Sequence, residues 1–248
     1  MALLISTSIL CGKIGRRTLS LLQREVEPHS NGEILKTLSC IKKEKKSIVD
    51  FPEIEKLAMY YIPIILGSIR RNRESLKAAR FVLQTMHAFP FVQTELLDLK
   101  EMNIPMMEER LRFRDDPPSS IKELSMKMAR ADSIVIVTPE YNNGYPGVLK
   151  NALDYLKDEY KRKPFGIITV SSAWSGGMLC LASLRQVILH LGGVPIPATL
   201  PFPQVQDVFD KEGKPRDSKW NQRAKNYFEE LLWFTEALSA QRRKHLSG

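Results

Sequence analysis

The sequence has few cysteines and no cysteine pattern that would bind a metal ion. It contains three, Cys11, Cys40 and Cys180, and no two of them form a CxxC pair. Structural zinc and iron–sulfur sites need closely spaced cysteines, and disulfide frameworks usually contain an even number. The sequence therefore argues against both, and it favours a reducing compartment, which we expect to be the cytoplasm.

Long apolar runs and nucleic-acid motifs are also missing. No run approaches the ~20 residues that a membrane-spanning helix needs. The net charge is +9, but the only dense basic cluster, at residues 42–46, is typical of a solvated linker. We therefore expect neither a membrane nor a nucleic acid as a partner. The hydrophobic fraction of 43% over 248 residues suits one core better than two large domains.

Acidic residues are absent from the first 24 positions, which carry four basic ones. This composition is typical of a mitochondrial-type presequence, whereas a secretory signal would have a charge before its apolar stretch. A start codon assigned too far upstream is another explanation. We expect residues 1–59 to be a targeting-like or poorly ordered extension. Residues 60–240 would form the main domain, and residues 241–248 a C-terminal tail.

From residue 60 onward, short apolar runs alternate with segments of helical periodicity. Five runs predict strands, at residues 60–66, 91–99, 133–138, 165–171 and 194–200. Five segments predict helices, at residues 75–86, 119–131, 146–156, 177–191 and 219–238. Continuous apolar strands are typical of a parallel sheet that is covered on both faces. We predict an α/β fold, a flavodoxin-like doubly wound sheet of five parallel strands in the order 2-1-3-4-5 with helices on both faces.

Two of the predicted helices have features that indicate their surroundings. Ser119 or Ser120 is a good N-cap for the second helix. The fourth helix, GMLCLASLRQVILHL, is apolar nearly all round, which predicts that it is buried.

Sheets of this kind bind ligands beyond the carboxyl ends of their strands. The loop that follows the first predicted strand reads GSIRRNRES, residues 67–75. It combines a glycine turn, serines and three arginines with the start of a helix, which is typical of a phosphate site. The P-loop and Rossmann motifs are absent, so the loop suits one terminal phosphate monoester such as that of FMN. The alternative is a polar turn with solvated arginines.

The loop after the third strand lies in TPEYNNGYPGVLKN, residues 138–151. Pro139 ends the strand because it has no N–H to donate. Exposed main-chain amides over residues 140–142 can meet the polar edge of a flavin ring, while Tyr141 covers a face. Gly144 and Gly147 permit close packing or unusual dihedral angles, and Pro146 suits the first turn of a helix. A purely structural turn would seldom use all these residues at once.

The loop after the fourth strand reads VSSAWSGGM, residues 170–178. Its serines can form hydrogen bonds, and Gly176 and Gly177 let the backbone approach a ligand closely. Trp174 either lies over a ring or packs on a neighbouring subunit.

Together the three loops resemble those of the NADPH-dependent FMN reductase family, which includes quinone, azo-dye and chromate reductases. PEYNNGYPGVLKNALDYL resembles the family's P-E-Y-N-x-x-x-P-x-x-L-K-N-x-x-D signature, and GSIRRNRES resembles its G-S-x-R…S loop. The SGG of residues 175–177 and the SLRQVILHLG that follows also match. The resemblance covers roughly residues 60–240, and the first sixty residues have no counterpart in the usual family pattern.

The resemblance implies a set of flavin contacts. The FMN phosphate would be bound by Ser68, Arg70 and Ser75. The isoalloxazine ring would be bordered by Pro139, Glu140, Tyr141 and Asn142. The ring or ribityl chain would be flanked by Ser171, Gly176 and Gly177. No catalytic side chain is needed, because the flavin carries the hydride chemistry itself.

The resemblance also implies an activity, an NAD(P)H oxidoreductase that passes hydride from NADPH through FMN to a quinone, free flavin or similar small acceptor. NADH is the alternative donor. Family members are typically homodimers or homotetramers, so the helix beginning at Pro146 would contribute to an interface. Arg110, Arg112 and Arg114 are candidates for the 2′-phosphate of NADPH, or else belong to a solvent-exposed charged loop.

Two functions of other classes remain open at this point. One is a non-enzymatic flavodoxin-type electron carrier, although such carriers usually have a hydroxyl-rich T-x-T-G-x-T loop and an acidic surface. The other is a flavin-binding redox-sensing module that contacts another protein through its N-terminal extension. NADPH oxidation by the FMN-loaded protein with a quinone would separate the enzyme from both.

Overall fold

The structure, a computed structural model, describes residues 59–246. The predicted extension therefore lies, apart from Met59, outside the described residues. The strands are β1 (Tyr60–Tyr61), β2 (Ile64–Leu66), β3 (Val92–Gln93), β4 (Leu96–Asp98), β5 (Ile134–Pro139), β6 (Pro164–Val170) and β7 (Val194–Pro195). The helices are α1 (Ser75–Met86), α2 (Leu99–Met102), α3 (Ser119–Arg130), α4 (Gly147–Asp154), α5 (Met178–His190), α6 (Val205–Val208) and α7 (Lys219–Leu246). Short 3-10 turns occur at Leu111–Phe113 and Asp158–Tyr160.

Five strands form one parallel sheet in the order β4-β2-β5-β6-β7. Counted along the chain, this is the predicted order 2-1-3-4-5. The short strands β1 and β3 also form a parallel pair. In the chain, β1 precedes β2 and β3 precedes β4. Pro63 separates β1 from β2 because it has no N–H to give to the ladder, although its carbonyl still accepts from Val135. The predicted α/β fold is confirmed.

The core has two layers because successive residues of a strand point to opposite faces. Val135 and Val137 of β5 pack with apolar residues of α1 and α7 on one face. Ile134 and Ile136 pack with α3, α4 and α5 on the other. Helices thus cover both faces, and all four side chains are fully buried. We call the rim where the strands end the carboxyl edge and the opposite rim the amino edge.

The predicted N-cap of α3 is wrong. Pro118 is the N-cap residue, Ser119 is the first helical residue, and no side-chain capping bond is present. The carbonyl of Pro118 accepts from Ile121 and Lys122 at 3.0 and 3.1 Å. Pro118 has a non-helical conformation, and its carbonyl already accepts hydrogen bonds from the first turn. The helix therefore begins without a capping side-chain hydroxyl.

The prediction for α5 is wrong on one side of the helix. Leu181, Leu184 and Ile188 are buried, whereas Leu179 and Leu189 are exposed. The helix is an outer layer on one face of the sheet, so only one stripe of its side chains meets the core. Composition alone could not distinguish this arrangement from a helix surrounded by protein.

The last helix is longer than predicted. α7 continues to Leu246, so the expected boundary at residue 240 falls inside it. Arg242 donates to the main-chain oxygens of Arg162 and Asp132 at 2.7 and 2.8 Å, which ties this part of the helix to the amino edge. Across residues 59–246, no helix has the length and apolar character needed to cross a membrane.

Candidate functional site

The loop after β2 begins with a close approach between the chain and α4. The Gly67 N–H donates to the carbonyl of Val137 at 2.9 Å, which continues the sheet pairing by one residue. A Cβ at Gly67 would lie 3.0 Å from Leu149 Cδ2 and 3.2 Å from Thr138 Oγ1. A side chain at position 67 would therefore push α4 away, and this contact explains the glycine independently of any ligand.

Ser68, Arg70 and Tyr141 meet at the carboxyl edge. Ser68 is fully buried, and its Oγ lies 2.8 Å from the hydroxyl of Tyr141. The guanidinium of Arg70 lies over the Tyr141 ring, 5.4 Å from its centroid. The loops after β2 and β5, which are 73 residues apart in sequence, therefore form one surface. Tyr141 reaches the loop after β2 with its hydroxyl, and the guanidinium of Arg70 covers its ring.

Ser75 is a buried hydroxyl with no partner in the described chain. It is the first residue of α1 and is 2% exposed, and its Oγ makes no hydrogen bond. Buried polar atoms are almost always satisfied by protein, water or a ligand. The unpartnered hydroxyl at the start of a helix is therefore a position where an anionic oxygen or an ordered water fits.

Arg73 differs from the other arginines of the loop. Its guanidinium contacts the carboxylate of Asp98 and the carbonyl of Ser68, and its side chain is 7% exposed. We expected Arg73 to offer positive charge to a ligand, but its charge is already paired inside the protein. Arg70 and Arg71 are exposed and carry the available charge of this loop.

The loop after β5 closes as a tight turn. Tyr141 and Gly144 exchange two main-chain hydrogen bonds of 2.8 and 2.9 Å. The two central residues, Asn142 and Asn143, have φ of 49° and 64°, as a type I′ turn requires. The asparagines, and neither Gly144 nor Gly147, adopt the left-handed conformation, because asparagine tolerates it better than most residues. Pro146 is the N-cap of α4 and lies just before the first turn.

Glu140 joins the loop after β5 to α5. Its carboxylate accepts from the Cys180 N–H at 3.0 Å, in the first turn of α5, where a negative charge is favoured by the helix dipole. Its own N–H donates to Val170 at 3.0 Å, and the Tyr141 N–H donates to Gly144. Two of the three amides that we predicted to be exposed to a flavin ring are therefore used within the protein.

Cys180 is a buried thiol and lacks the properties of a nucleophile. Burial raises its pKa to about 12, and the nearby Glu140 carboxylate adds to the shift. The thiolate is the reactive form of cysteine, so this side chain stays protonated and inert near neutral pH.

The loop after β6 depends on its two glycines. Gly176 and Gly177 have φ of 66° and 84°, and a Cβ at Gly176 would lie 2.8 Å from the Pro201 Cβ. The carbonyl of Gly176 accepts from Thr169 Oγ1 at 2.7 Å. The pair is thus required by local conformation and packing as well as by any ligand.

Ser171 and Trp174 lie in the same loop and have different environments. The Ser171 Oγ accepts from the Ala173 N–H at 3.1 Å, and the Ser171 N–H donates to Phe202 at 3.0 Å. Trp174 is 85% exposed, so its indole covers nothing within the described chain. Ser171 therefore shapes the loop, and Trp174 projects from it.

All ten predicted site residues lie at the carboxyl edge: Pro139 is the last residue of β5, Ser75 is the first of α1, and the others lie in the loops after β2, β5 and β6. The structure connects these loops through Ser68–Tyr141 and Glu140–Cys180. Sequence reasoning missed the Arg73–Asp98 pair, because Asp98 ends a strand 25 residues away and looked like an ordinary polar end. The signal available in the sequence was an acid at the end of the neighbouring strand.

The arginines proposed for NADPH lie beside the end of α4. The Leu111 N–H donates to Tyr155 at 3.0 Å, Arg112 is 4.0 Å from Asp158, and Arg114 is 3.9 Å from Glu108. Arg112 is exposed and Arg114 is half-buried, and the contribution of these arginines to NADPH binding stays a prediction.

Two surface cavities lie elsewhere in the described chain. One, of about 140 Å³, lies beside residues 110–112 and 155–159. The other, of about 620 Å³, lies between α1 and the start of α7. Neither is lined by a residue of the three loops. Within residues 59–246, no group of three or more His, Cys, Asp or Glu side chains is placed to hold a metal ion.

Comparisons with known proteins identify the family of the chain. The family described as NADPH-dependent FMN reductase matches residues 61–207. An FMN-dependent NADPH-azoreductase of Staphylococcus aureus (strain USA300) is 29% identical over 183 residues, covering 69% of this chain and 93% of the relative.

Solved structures show the same fold. FerB of Paracoccus denitrificans, a flavoenzyme NAD(P)H:(acceptor) oxidoreductase, superimposes with a TM-score of 0.62 at 24% identity, covering 72% of this chain and 98% of FerB. An oxidoreductase of Corynebacterium diphtheriae superimposes with a TM-score of 0.58 at 18% identity, covering 71% of this chain and 97% of that one. The match to the family spans more than half of the sequence and includes all three loops, so the chain belongs to the NADPH-dependent FMN reductase family.

Proposed function

We propose that this chain binds FMN across the loops after β2, β5 and β6 and catalyses NADPH-dependent reduction of a small acceptor. The observation that carries the proposal is the meeting of Ser68, Arg70 and Tyr141 at the carboxyl edge, together with the unpartnered hydroxyl of Ser75 at the start of α1. Doubly wound sheets place their ligands at this edge.

The residues of the phosphate loop fit the FMN phosphate. Ser75 is a buried donor that lacks a partner, and Arg70 is an exposed cation within the same loop. An arginine and a hydroxyl at a helix N-terminus together satisfy a phosphate dianion. We assign the phosphate to Ser68, Arg70 and Ser75.

The other two loops would border the flavin ring and the ribityl chain. The segment at residues 139–142 presents the Tyr141 side chain, and the carboxylate of Glu140 holds this segment against α5. Ser171, Gly176 and Gly177 have small side chains or none, so this part of the loop can lie close to a ligand, while Trp174 projects from the same loop. When bound, FMN supplies the chemistry of accepting a hydride from NADPH and passing it to the acceptor.

This chain's own part in the reaction would be binding and orientation. The Ser68–Tyr141 contact connects the phosphate loop to the ring loop before any ligand arrives. No nucleophile is required, and the protonated thiol of Cys180 offers none. An open ring face would accept planar molecules, so we propose quinones, free flavins and azo compounds as acceptors. The azoreductase relative supports the last class.

The test begins with the absorbance spectrum of the purified protein, before and after incubation with excess FMN. Steady-state oxidation of NADPH or NADH is then measured with a quinone, with free flavin and with an azo dye. We expect a bound flavin spectrum, turnover, and faster reaction with NADPH. A protein that stays colourless in excess FMN contradicts the proposal, while bound FMN without turnover supports a flavodoxin-type carrier.

We also propose a homodimer or homotetramer that acts without nucleic acid or membrane. Trp174, Met178 and Leu179 form an exposed apolar group at the carboxyl edge, where a second subunit would cover them. Light scattering should give a mass of two or four chains, and Leu179→Glu should lower it. A monomeric wild-type protein at micromolar concentration contradicts this assembly.

The cellular location stays a proposal as well. The basic, acid-free stretch at residues 1–24 lies outside the described residues, so mitochondrial targeting is tested by the location of the tagged full chain and of a chain lacking that stretch. We expect a cytoplasmic location when it is removed.

A further inference from the structure

We propose that Arg73 and Asp98 form a clamp that holds the phosphate loop in its binding conformation, and that Arg73 is a positioning residue which does not touch the phosphate. The inference rests on the proposed FMN site, because it assigns a role within that site. It separates Arg73 from Arg70 and Arg71, its neighbours in the sequence.

The contacts of Arg73 reach both the loop and the sheet. One guanidinium nitrogen, Nη1, donates to the main-chain oxygen of Ser68, and the other, Nη2, donates to Oδ2 of Asp98. The second oxygen of Asp98, Oδ1, accepts from the Lys100 N–H at 3.0 Å at the start of α2. One ion pair thus connects the first serine of the loop to the end of β4.

The clamp closes the loop on itself. Arg73 reaches back to Ser68, five residues earlier, so Arg70 and Asn72 lie inside a ring closed by a side chain. Within that ring the Arg70 N–H lies 3.4 Å from Ser68 Oγ, and Asn72 has a φ of 52°. A loop that is already closed loses less conformational entropy on binding, so the clamp favours the ligand without contacting it.

The charges show why Arg73 is a poor candidate for the phosphate itself. The side chains of Arg73 and Asp98 are 7% and 14% exposed, so the pair is largely removed from water. Removing one partner of such a pair leaves an uncompensated charge. A lysine at position 73 would keep the charge, but it lacks the planar fork that contacts a carbonyl and a carboxylate together.

The test compares Asp98→Asn and Arg73→Lys with wild type, using calorimetric titration with FMN and with riboflavin, which lacks the phosphate. A clamp predicts that both variants weaken FMN binding by about tenfold, a difference of ~1.4 kcal/mol, while riboflavin binding changes less than about twofold. The matched control is Glu95→Gln. It removes the ion pair with Lys127 at the amino end of the same strand and should leave the ratio of FMN to riboflavin affinity unchanged.

The sign of the Asp98→Asn effect separates the clamp from direct phosphate binding. If Arg73 were a phosphate ligand restrained by Asp98, neutralising Asp98 would free the charge of Arg73 and strengthen FMN binding. Stronger FMN binding by Asp98→Asn would therefore overturn the clamp. Equal weakening of FMN and riboflavin, or wild-type FMN affinity in Arg73→Lys, also overturns it. Thermal unfolding of each apo variant shows whether that variant folds. If Asp98→Asn does not fold, FMN binding by Arg73→Lys still tests the clamp.

Failure of the two proposals gives different results. A wild-type chain that binds neither flavin refutes the FMN site, and the clamp with it. A wild-type chain that binds FMN, together with variants that bind it equally well, refutes the clamp alone.

Discussion

The two edges of the sheet both rely on charged side chains, yet they use them differently. At the amino edge, Lys163 donates to the last carbonyls of α3, and Asp132 accepts from the Tyr61 N–H at 3.0 Å and from Ser239 at 3.1 Å. These contacts hold α3, β1 and α7 through the short connections that precede β5 and β6. At the carboxyl edge, Arg73–Asp98 and Glu140–Cys180 join loops to the sheet or to a helix.

The difference shows where stability and binding are separated in this molecule. At the amino edge, Lys163 and Asp132 are paired with α3, β1 and α7, whereas the carboxyl edge leaves Ser75 unpartnered and Arg70 and Arg71 exposed. Loops held by fixed contacts can keep a few polar groups free for a ligand. Substitutions of charged side chains at the two edges should therefore change different measured quantities: unfolding free energy at the amino edge and FMN affinity at the carboxyl edge.

The largest effect expected is the loss of stability in Gly176→Ala. The added Cβ would meet the Pro201 Cβ at 2.8 Å, and the residue would adopt a φ of 66°. Steric overlap and the left-handed conformation together should lower the free energy of unfolding by about 2–4 kcal/mol. Gly147→Ala is the matched control, because its Cβ meets nothing within 4 Å and it begins α4. Denaturant unfolding should show no loss there, and equal losses in both variants would contradict the account of this loop.

The next effect concerns FMN binding by Arg70. Arg70→Ala removes an exposed guanidinium that lies over the Tyr141 ring and should weaken FMN binding by about 1.5–3 kcal/mol, with little change in unfolding. Arg71→Ala, a change of equal charge in the same loop, should weaken FMN less. Isothermal titration measures both affinities. Unchanged affinity in Arg70→Ala would remove Arg70 from the phosphate site.

A pH-dependent effect is expected at the amino edge. Burial lowers the pKa of Lys163 from 10.5 to about 8, with a further contribution from Arg242, while Asp132 and Glu159 oppose the shift. The folded protein then binds fewer protons than the unfolded chain between about pH 8 and 10.5, so this group's contribution to stability rises with pH in that window. Below pH 8 both states carry the proton, and the cost of burying the charge is fully present.

The measurement is the difference in unfolding free energy between wild type and Lys163→Met at pH 7 and at pH 9.5. Wild type should gain about 1–2 kcal/mol relative to the variant over this range. The neutral amine still has protons for both α3 carbonyls. A difference that does not change with pH would show that Lys163 titrates normally, and FMN affinity should be unaffected at either pH.

The smallest effect expected is that of Tyr141→Phe. It removes the hydroxyl that lies 2.8 Å from Ser68 Oγ, which is worth about 1 kcal/mol in stability or FMN affinity. Tyr145→Phe, in the same loop, removes a hydroxyl outside this contact and is the control. Titration and unfolding of the two variants compare them directly. Equal effects would show that the Ser68–Tyr141 contact does not connect the two loops.

Much of the fold followed from local pattern. The segment SLKAARFVLQTM predicted a helix and forms α1 over Ser75–Met86, because its apolar spacing and its boundaries are all local properties. The fifth strand was less successful. Residues 194–200 predicted a strand, but β7 contains only Val194–Pro195. Pro195 and Pro197 cannot donate to a ladder, and β7 has a neighbour on one side only.

The candidate site was predictable in position and less so in detail. The apolar runs predict parallel strands, and the parallel strands of a sheet all end at the same edge. The three loops that follow these strands therefore lie together. The uses of Glu140 and Tyr141 were not predictable, since their amides are paired by Val170 and by Gly144 once the sheet and the turn form. The exposed face of α5 likewise depends on which layer the helix occupies.

Local sequence was sufficient for the approximate positions of most strands and helices and for the edge at which the candidate site residues gather, because periodicity and turn chemistry act over a few residues. The tertiary structure decided which of several similar side chains is free. Arg70, Arg71 and Arg73 look alike in sequence, and they differ because Asp98, 25 residues further on, ends the strand next to β2 and pairs with only one of them. Charge pairing across strands depends on register and burial, which no short stretch of sequence contains.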